Sequence, residues 1–143
     1  MRLDLHKRTD LALSAMLELS ERDERVPGSE LADALGTTRQ YLPQILNPLV
    51  KKRWLRSTPG PHGGYELLVG LNDVSVLELI ETMEGPTLDS RCVLTGDACP
   101  QEEPCALHGA WQHARSALMR ELGDLSLLEA RNPDYASTPG EAG

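Results

Sequence analysis

Residues 29–53, SELADALGTTRQYLPQILNPLVKKR, decide the fold. Ser29 opens a short amphipathic run with Leu31, Ala34 and Leu35 on one face, and Gly36 stops it. That is the pattern of a helix capped by a hydroxyl and ended by a residue free to turn left-handed. Only Thr37 and Thr38 separate it from a second run, apolar at Leu42, Ile45, Leu46, Leu49 and Val50 and closing on Lys51, Lys52 and Arg53. Two short helices joined by so tight a turn, the second ending in basic residues, make a helix-turn-helix. Pro43 suits a helix that starts near Gln40, where its missing N–H would be an orphan anyway. Pro48 falls mid-helix and predicts a kink, at about 3 kcal/mol unless the geometry adapts.

Working outward, WLRS (54–57) and GYELLV (64–69) flank TPGPHG (58–63), a turn rich in proline and glycine. This reads as a β-hairpin, the wing of a winged helix. Ser75 and Glu78 form a capping box that opens VLELIETME, which Gly85-Pro86 ends. Upstream, Thr9 can cap a helix through DLALSAMLELSER, whose apolar residues cover more than one stripe and so predict deep burial. Downstream, residues 87–104 carry no periodicity, and then ALHGAWQHARSALMREL puts Leu107, Trp111, Ala114, Leu118 and Leu122 on one stripe. A helix with its own apolar seam, outside the compact module, calls for a partner helix. The expected organisation is a winged helix-turn-helix module over 1–86 and a cysteine-bearing loop over 87–106. A dimerisation helix with its following segment takes 107–131, and a polar, disordered tail takes 132–143. The fold class is mainly α, with a two-stranded wing and a long C-terminal dimerisation helix.

Bulk properties suit this reading. The chain has 143 residues, 40% hydrophobic and only 3% aromatic, with no Phe. One core built from Leu, Val, Ile, Ala and Met is the expectation. No apolar run approaches the ~20 residues of a membrane span, and the opening MRLDLHKRTD lacks the apolar stretch of a secretory signal. A cytoplasmic protein is expected. The net charge of −8 is unevenly spread: residues 1–66 hold 10 Lys+Arg against 9 Asp+Glu, and residues 67–143 hold 4 against 13. Affinity for DNA comes from a local basic face that displaces counterions, which an acidic protein can still supply.

The start of a recognition helix meets base edges in the major groove. Arg39 and Gln40 are the base-reading candidates, with Thr38 and Gln44 beside them. Lys51, Lys52 and Arg53 are phosphate candidates, and the wing offers Arg56 and His62. Any one of these charges, taken alone, is as readily a solvated surface group as a contact. The order of helix, turn, helix and wing is the specific signal.

Cys92, Cys99 and Cys105 lie within 14 positions, and His108 follows one helical turn after the last. Clustered cysteines in a reduced compartment point to metal or redox chemistry rather than a disulfide framework. Soft thiolates select iron–sulfur clusters or zinc over hard cations. Three cysteines and a histidine also make a structural zinc set, and a metal-free thiol switch is a third reading.

With those residues in place, the chain resembles the Rrf-type winged-helix family of iron–sulfur transcription regulators, of the IscR, NsrR and RirA kind. The resemblance covers nearly all of residues 1–130. It rests on the opening MRL, TDLALSAML, the helix-turn-helix into YLPQIL, GPHGGY, VLELIETMEG, and three cysteines ahead of a long helix. It implies that the long helix pairs two protomers, that Cys92, Cys99 and Cys105 hold an iron–sulfur cluster, and that cluster state sets promoter binding. For the fourth ligand, His108 in CALHGAW is similar to the IscR-like arrangement with a 2Fe–2S cluster. Asp10 in TDLAL is similar to the NsrR-like arrangement, in which a carboxylate of the partner's first helix completes a 4Fe–4S cluster. Pro59 stands where IscR-like wings carry a basic residue.

The expectation is therefore a homodimeric repressor that binds an operator in double-stranded DNA and senses nitric oxide, redox state or iron and cluster supply. An enzyme with a cysteine nucleophile and His108 or His113 as base is the rival class. No nucleophile-elbow or phosphate-loop motif supports it.

Overall fold

Four helices, one hairpin and a short returning segment share a single apolar core in the computed structural model, which describes residues 3–87, 92–98 and 104–131. The elements are α1 (Lys7–Ser20), α2 (Gly28–Leu35), α3 (Leu42–Lys51), β1 (Leu55–Thr58), β2 (Gly64–Leu67), α4 (Val76–Glu84), α5 (His108–Asp124) and α6 (Leu127–Ala130). A single 3-10 turn, Leu71–Asp73, precedes α4. The fold is mainly α with a two-stranded antiparallel wing.

The core is aliphatic, as the scarcity of aromatics requires. Met16 and Leu19 of α1, Leu31 of α2, Leu42, Ile45, Leu46 and Leu49 of α3, Leu55 of β1 and Leu79 of α4 are all fully buried. Helix α1 is covered on several sides, by α2, α3 and α4, which is why its apolar residues exceed one stripe. Arg22, just beyond α1, forks between Glu18 (2.9 Å) and Glu30 of α2 (2.6 Å).

Two helix caps differ from the sequence reading. Thr9 does not cap α1: the helix begins at Lys7 with His6 as its N-cap, and Thr9 is buried inside the first turns. The carboxylate of Glu84 accepts the backbone N–H of His6, the N-cap, at 2.6 Å, the part that an N3 glutamate plays in a capping box. Ser29 does not cap α2 either, because the helix starts at Gly28 with Pro27 as N-cap. Gly36 does end it, at φ +66°. The capping box opening α4 is present on both arms: Ser75 Oγ accepts from Glu78 N–H (3.1 Å) and Glu78 Oε2 from Ser75 N–H (2.8 Å).

Helix α3 starts at Leu42, two residues later than Gln40. Residues 39–41 form a lead-in turn in which Thr38 caps with its side chain, accepting the Tyr41 N–H on Oγ1 at 3.1 Å. Pro43 then lies in the first turn and costs no hydrogen bond. The helix runs through Pro48 to Lys51.

In the wing, Leu55 pairs with Leu67, Arg56 with Glu66, Ser57 with Tyr65 and Thr58 with Gly64. The hairpin is moored by Val26, just before α2: Val26 N–H donates to Tyr65 O and Tyr65 N–H to Val26 O, each at 2.8 Å. Gly64 lies so close that a Cβ there would stand 2.2 Å from Val26 O.

Beyond α5 the chain returns to the module. Val76 N–H donates to Leu125 O (2.8 Å) and Leu127 N–H to Val74 O (3.0 Å), so the end of α5 meets the start of α4. Leu127 is fully buried, and a second capping box, Ser126 with Glu129, opens α6. Arg131 pairs with Glu21 at the end of α1. Helix α5 itself has no buried residue, and Leu107, Trp111 and Leu118 are exposed. Among the described residues no helix is long and apolar enough to cross a membrane. The tail 132–143 lies outside the described residues.

Candidate functional site

The DNA-facing candidates fall on two neighbouring features. Thr38, Arg39 and Gln40 sit on the lead-in turn and Gln44 on the first turn of α3, all exposed. Their other side is closed by Leu42, Ile45, Leu46 and Leu49, so the helix can present only this face. Asn47 is exposed as well, three residues after Gln44 and four before Lys51. That spacing puts it on the stripe of Gln40 and Gln44, and its amide can pair bidentately with adenine. Sequence reasoning missed it, although the spacing alone is enough to find it.

Between this face and the wing lies a cleft of ≈ 450 Å³ lined by Ser29, Arg39, Pro43, Thr58, Gly60 and Tyr65, among others. It joins the start of α2, the start of the recognition element and the wing turn. A phosphate backbone threaded here would meet the N-terminus of α2 beside the base-reading turn. His62 is exposed at the wing turn, and its carbonyl accepts from Arg25 Nη1 at 3.3 Å. Arg25 therefore stands at the wing although 37 residues earlier in sequence. Nothing local in the sequence signals this, because the Val26–Tyr65 bridge creates it. Arg56 is exposed but already paired across the strands with Glu66, at 3.1 Å, which reduces the net positive charge it offers.

Lys51, Lys52 and Arg53 are exposed at the far end of α3. Arg53 adopts φ +61° in the turn toward β1. Lys51 and Lys52 line a separate cleft of ≈ 610 Å³ that also includes Trp54, Glu78 and Glu81. They are thus set apart from the Arg39 cleft, and carboxylates temper their charge.

The structure brings two of the three cysteines together. Cys92 Sγ lies 3.5 Å from Cys105 Sγ, beyond the about 2.05 Å of a disulfide. It is close to the about 3.8 Å edge that two thiolates share on one tetrahedral metal with bonds of about 2.3 Å. Cys92 is buried and Cys105 half-buried. A tight loop fixes Cys92: Gly96 N–H donates to its carbonyl (2.8 Å) and Leu94 N–H to its Sγ (3.4 Å). Gly96 takes φ +78°, a conformation that favours glycine. Cys105 sits just before α5, its carbonyl accepting the His108 N–H at 3.0 Å. Cys99 lies outside the described residues.

Soft sulfur donors, one already receiving a backbone N–H, fit a thiophilic metal or cluster. Among the described residues no three of His, Cys, Asp and Glu gather as a metal-holding group. Within one chain, then, neither His108 nor Asp10 stands with Cys92 and Cys105 as a ready-made site. Asp10 is exposed on the first turns of α1, its carboxylate 3.2 Å from Lys7 Nζ. Its helix is tied to the end of α4, from which the cysteine segment departs. Besides the His6–Glu84 bond, Arg8 Nη2 donates to Met83 O at 3.3 Å.

Comparison with known proteins agrees with this architecture. A family model described as Rrf2, iron-dependent transcriptional regulator, matches residues 5–131. BadM of Rhodopseudomonas palustris, a putative HTH-type transcriptional regulator by name, is 30% identical over 138 residues, covering 96% of this chain and 81% of that protein. The HTH-type transcriptional regulator IscR of Escherichia coli is 28% identical over 123 residues, covering 85% of this chain and 75% of IscR. Among solved structures, CymR of B. subtilis, titled the global cysteine regulator, superposes with a TM-score of 0.73 at 21% identity. That match covers 96% of this chain and all of CymR, a likeness of fold.

Proposed function

This chain belongs to the Rrf2 family of transcriptional regulators, and from that premise we propose that it is a homodimeric repressor whose operator affinity is set by an iron–sulfur cluster. The proximity of Cys92 and Cys105 at 3.5 Å, in a loop that joins the end of α4 to the start of α5, carries the proposal. Cys92, Cys99 and Cys105 would hold the cluster, with Asp10 of the partner chain or His108 as the fourth ligand. The cluster supplies redox and ligand-exchange chemistry with nitric oxide, oxidants or the iron supply.

The rest is done by protein groups. Arg39, Gln40, Gln44 and Asn47 read base edges, while the wing and the Arg39 cleft hold the backbone. The exposed seam of Leu107, Trp111 and Leu118 packs on its equivalent in a second protomer, so that two recognition faces meet two half-sites. Sensing needs only that the loop differ between cluster states, because it is anchored at α4 behind and α5 ahead. The domain division over 1–86, 87–106, 107–131 and 132–143 follows these roles, and the protein works in the cytoplasm.

The test is purification without oxygen, followed by operator binding with and without the cluster. Brown or red protein with broad visible absorption, and an affinity difference of roughly 5- to 150-fold, the usual allosteric size, are expected. Colourless protein with bound zinc, or with neither metal and a thiol-dependent affinity, would replace this reading by a zinc-stabilised or thiol-switch regulator. The approach of Cys92 to Cys105 suits that second reading too, since 3.5 Å is also a distance from which two thiols can react.

A further inference from the structure

The Cys92–Cys105 thiol pair is asymmetric in its exposure. Cys92 is 8% exposed, whereas Cys105 is half-buried at the open end of α5. Their sulfurs need approach by only about 1.5 Å to reach bonding distance. The loop that holds Cys92 is fixed by the Gly96 and Leu94 hydrogen bonds, so that approach falls to Cys105, whose neighbours are exposed at Pro104, Ala106 and Leu107.

We infer that in the cluster-free chain Cys92 and Cys105 form a peroxide-oxidisable dithiol that closes to an intrachain disulfide, with Cys105 as the thiol oxidised first and Cys92 as the resolving one. The inference is independent of which cluster the protein carries, and it adds a second input at the same residues. In the first step the Cys105 sulfur attacks one oxygen of hydrogen peroxide. The O–O bond breaks, Cys105 becomes a sulfenic acid and water leaves. In the second step the Cys92 sulfur attacks the Cys105 sulfur, the S–O bond breaks and a second water leaves. In total, two thiols and one hydrogen peroxide give one disulfide and two waters, with two electrons passing from sulfur to peroxide.

The order follows from access: an oxidant from solvent reaches the half-buried thiol, and the buried one lies 3.5 Å behind it. The consequence is exclusion. A disulfide offers no thiolates, so the oxidised chain cannot accept a cluster until a reductant opens the bond. Cluster loss followed by peroxide would thus latch the protein in its cluster-free state instead of leaving it ready to reload.

The test uses the full chain, stripped of metal by a chelator, reduced, and then given one equivalent of hydrogen peroxide. Remaining thiols are alkylated and the digest is read by mass spectrometry. A Cys92–Cys105 cross-linked peptide with Cys99 alkylated is expected. With Cys99→Ser as the common background, Cys92→Ser should accumulate a dimedone-trapped sulfenic acid at Cys105, and Cys105→Ser should consume peroxide at least about tenfold more slowly, since the more accessible thiol of the pair is gone. Oxidised wild-type protein should take up no cluster on reconstitution until dithiothreitol is added. A disulfide that includes Cys99, or full alkylation of Cys92 and Cys105 after peroxide, overturns the inference. The visible spectrum of the reconstituted, reduced chain separately decides the cluster reading, so either can fail without the other.

Discussion

Val26 and Tyr65 exchange both of their backbone hydrogen bonds at 2.8 Å, a bridge that ties the wing to the chain two residues before α2. The wing's direction is therefore set by the helix-turn-helix and not by its own hairpin. Gly64 makes the approach possible, with φ +154° and no room for a side chain. Gly64→Ala should separate wing from module and cost about 1–3 kcal/mol in stability through strain and a lost bridge. Operator affinity should fall as well. Gly60→Ala, at φ +99° with nothing within 4 Å, should suffer only the smaller backbone effect. Thermal melts and operator titrations of the two variants compare them, and equal effects would mean that the mooring does not fix the wing.

Arg39 lies where the recognition turn faces the wing cleft. Arg39→Ala should weaken specific binding by ~1–3 kcal/mol and relax the preference at one base pair. Lys51→Ala with Lys52→Ala should instead lower affinity on every sequence and flatten the salt dependence, by about one unit of slope for each lysine that meets a phosphate. Titrations at several salt concentrations separate the two classes. An operator preference unchanged by Arg39→Ala would reassign the base-reading role.

Leu118 is 48% exposed on α5, whereas Leu127 at the start of α6 is fully buried. Leu118→Glu should leave folding nearly intact and produce monomers in sedimentation, since it places a charge in the seam. Leu127→Ala should do the reverse, costing about 2–5 kcal/mol in denaturant melts by emptying a core site while dimers persist. An unchanged sedimentation profile for Leu118→Glu would move the interface off α5.

The fourth ligand is decided by two single substitutions. Asp10 is exposed on the first turns of α1, so its carboxylate is open to a second protomer. Asp10→Ala should then bleach or shift the visible spectrum of the anaerobic protein and weaken DNA binding, with His108→Ala close to the parent. The opposite pattern assigns His108. A spectrum untouched by either change, but lost in Cys92→Ser, leaves the fourth position to solvent.

Much of this architecture is written locally. The run from Ser29 to Arg53, the proline-glycine turn of the wing and the Ser75–Glu78 box each specify an element by spacing alone, and each is present. The start of α1 is not legible in the same way, because the group that receives the His6 N–H is Glu84, 78 residues away. Thr9 consequently lies buried, with Oγ1 lacking a partner among the described residues, at a place where a capping hydroxyl would be exposed. Helix α6 is legible but easily overlooked: Ser126-x-x-Glu129 has the same form as Ser75-x-x-Glu78. At the candidate site, the exposed face of α3 follows from periodicity, whereas Arg25 reaches the wing only through the Val26–Tyr65 bridge. The meeting of Cys92 and Cys105 depends on the course of the loop, which spacing alone does not fix.

The return of the chain after α5 gives the molecule an unusual response to cutting. Residues 125–131 are fastened to the start of α4 by two backbone hydrogen bonds, and to the module by the buried Leu127 and the Arg131–Glu21 pair. A single protease cut between Gly85 and Leu107 would therefore yield two peptides that remain one particle, much as a belt cut at the back stays on when it is buckled at the front. The nicked protein should migrate as two bands in denaturing gels and as one species in native ones. It would keep its wing and recognition helix in register while the cysteine segment is severed from α4, so the DNA-reading half can be separated from its input without removing a residue.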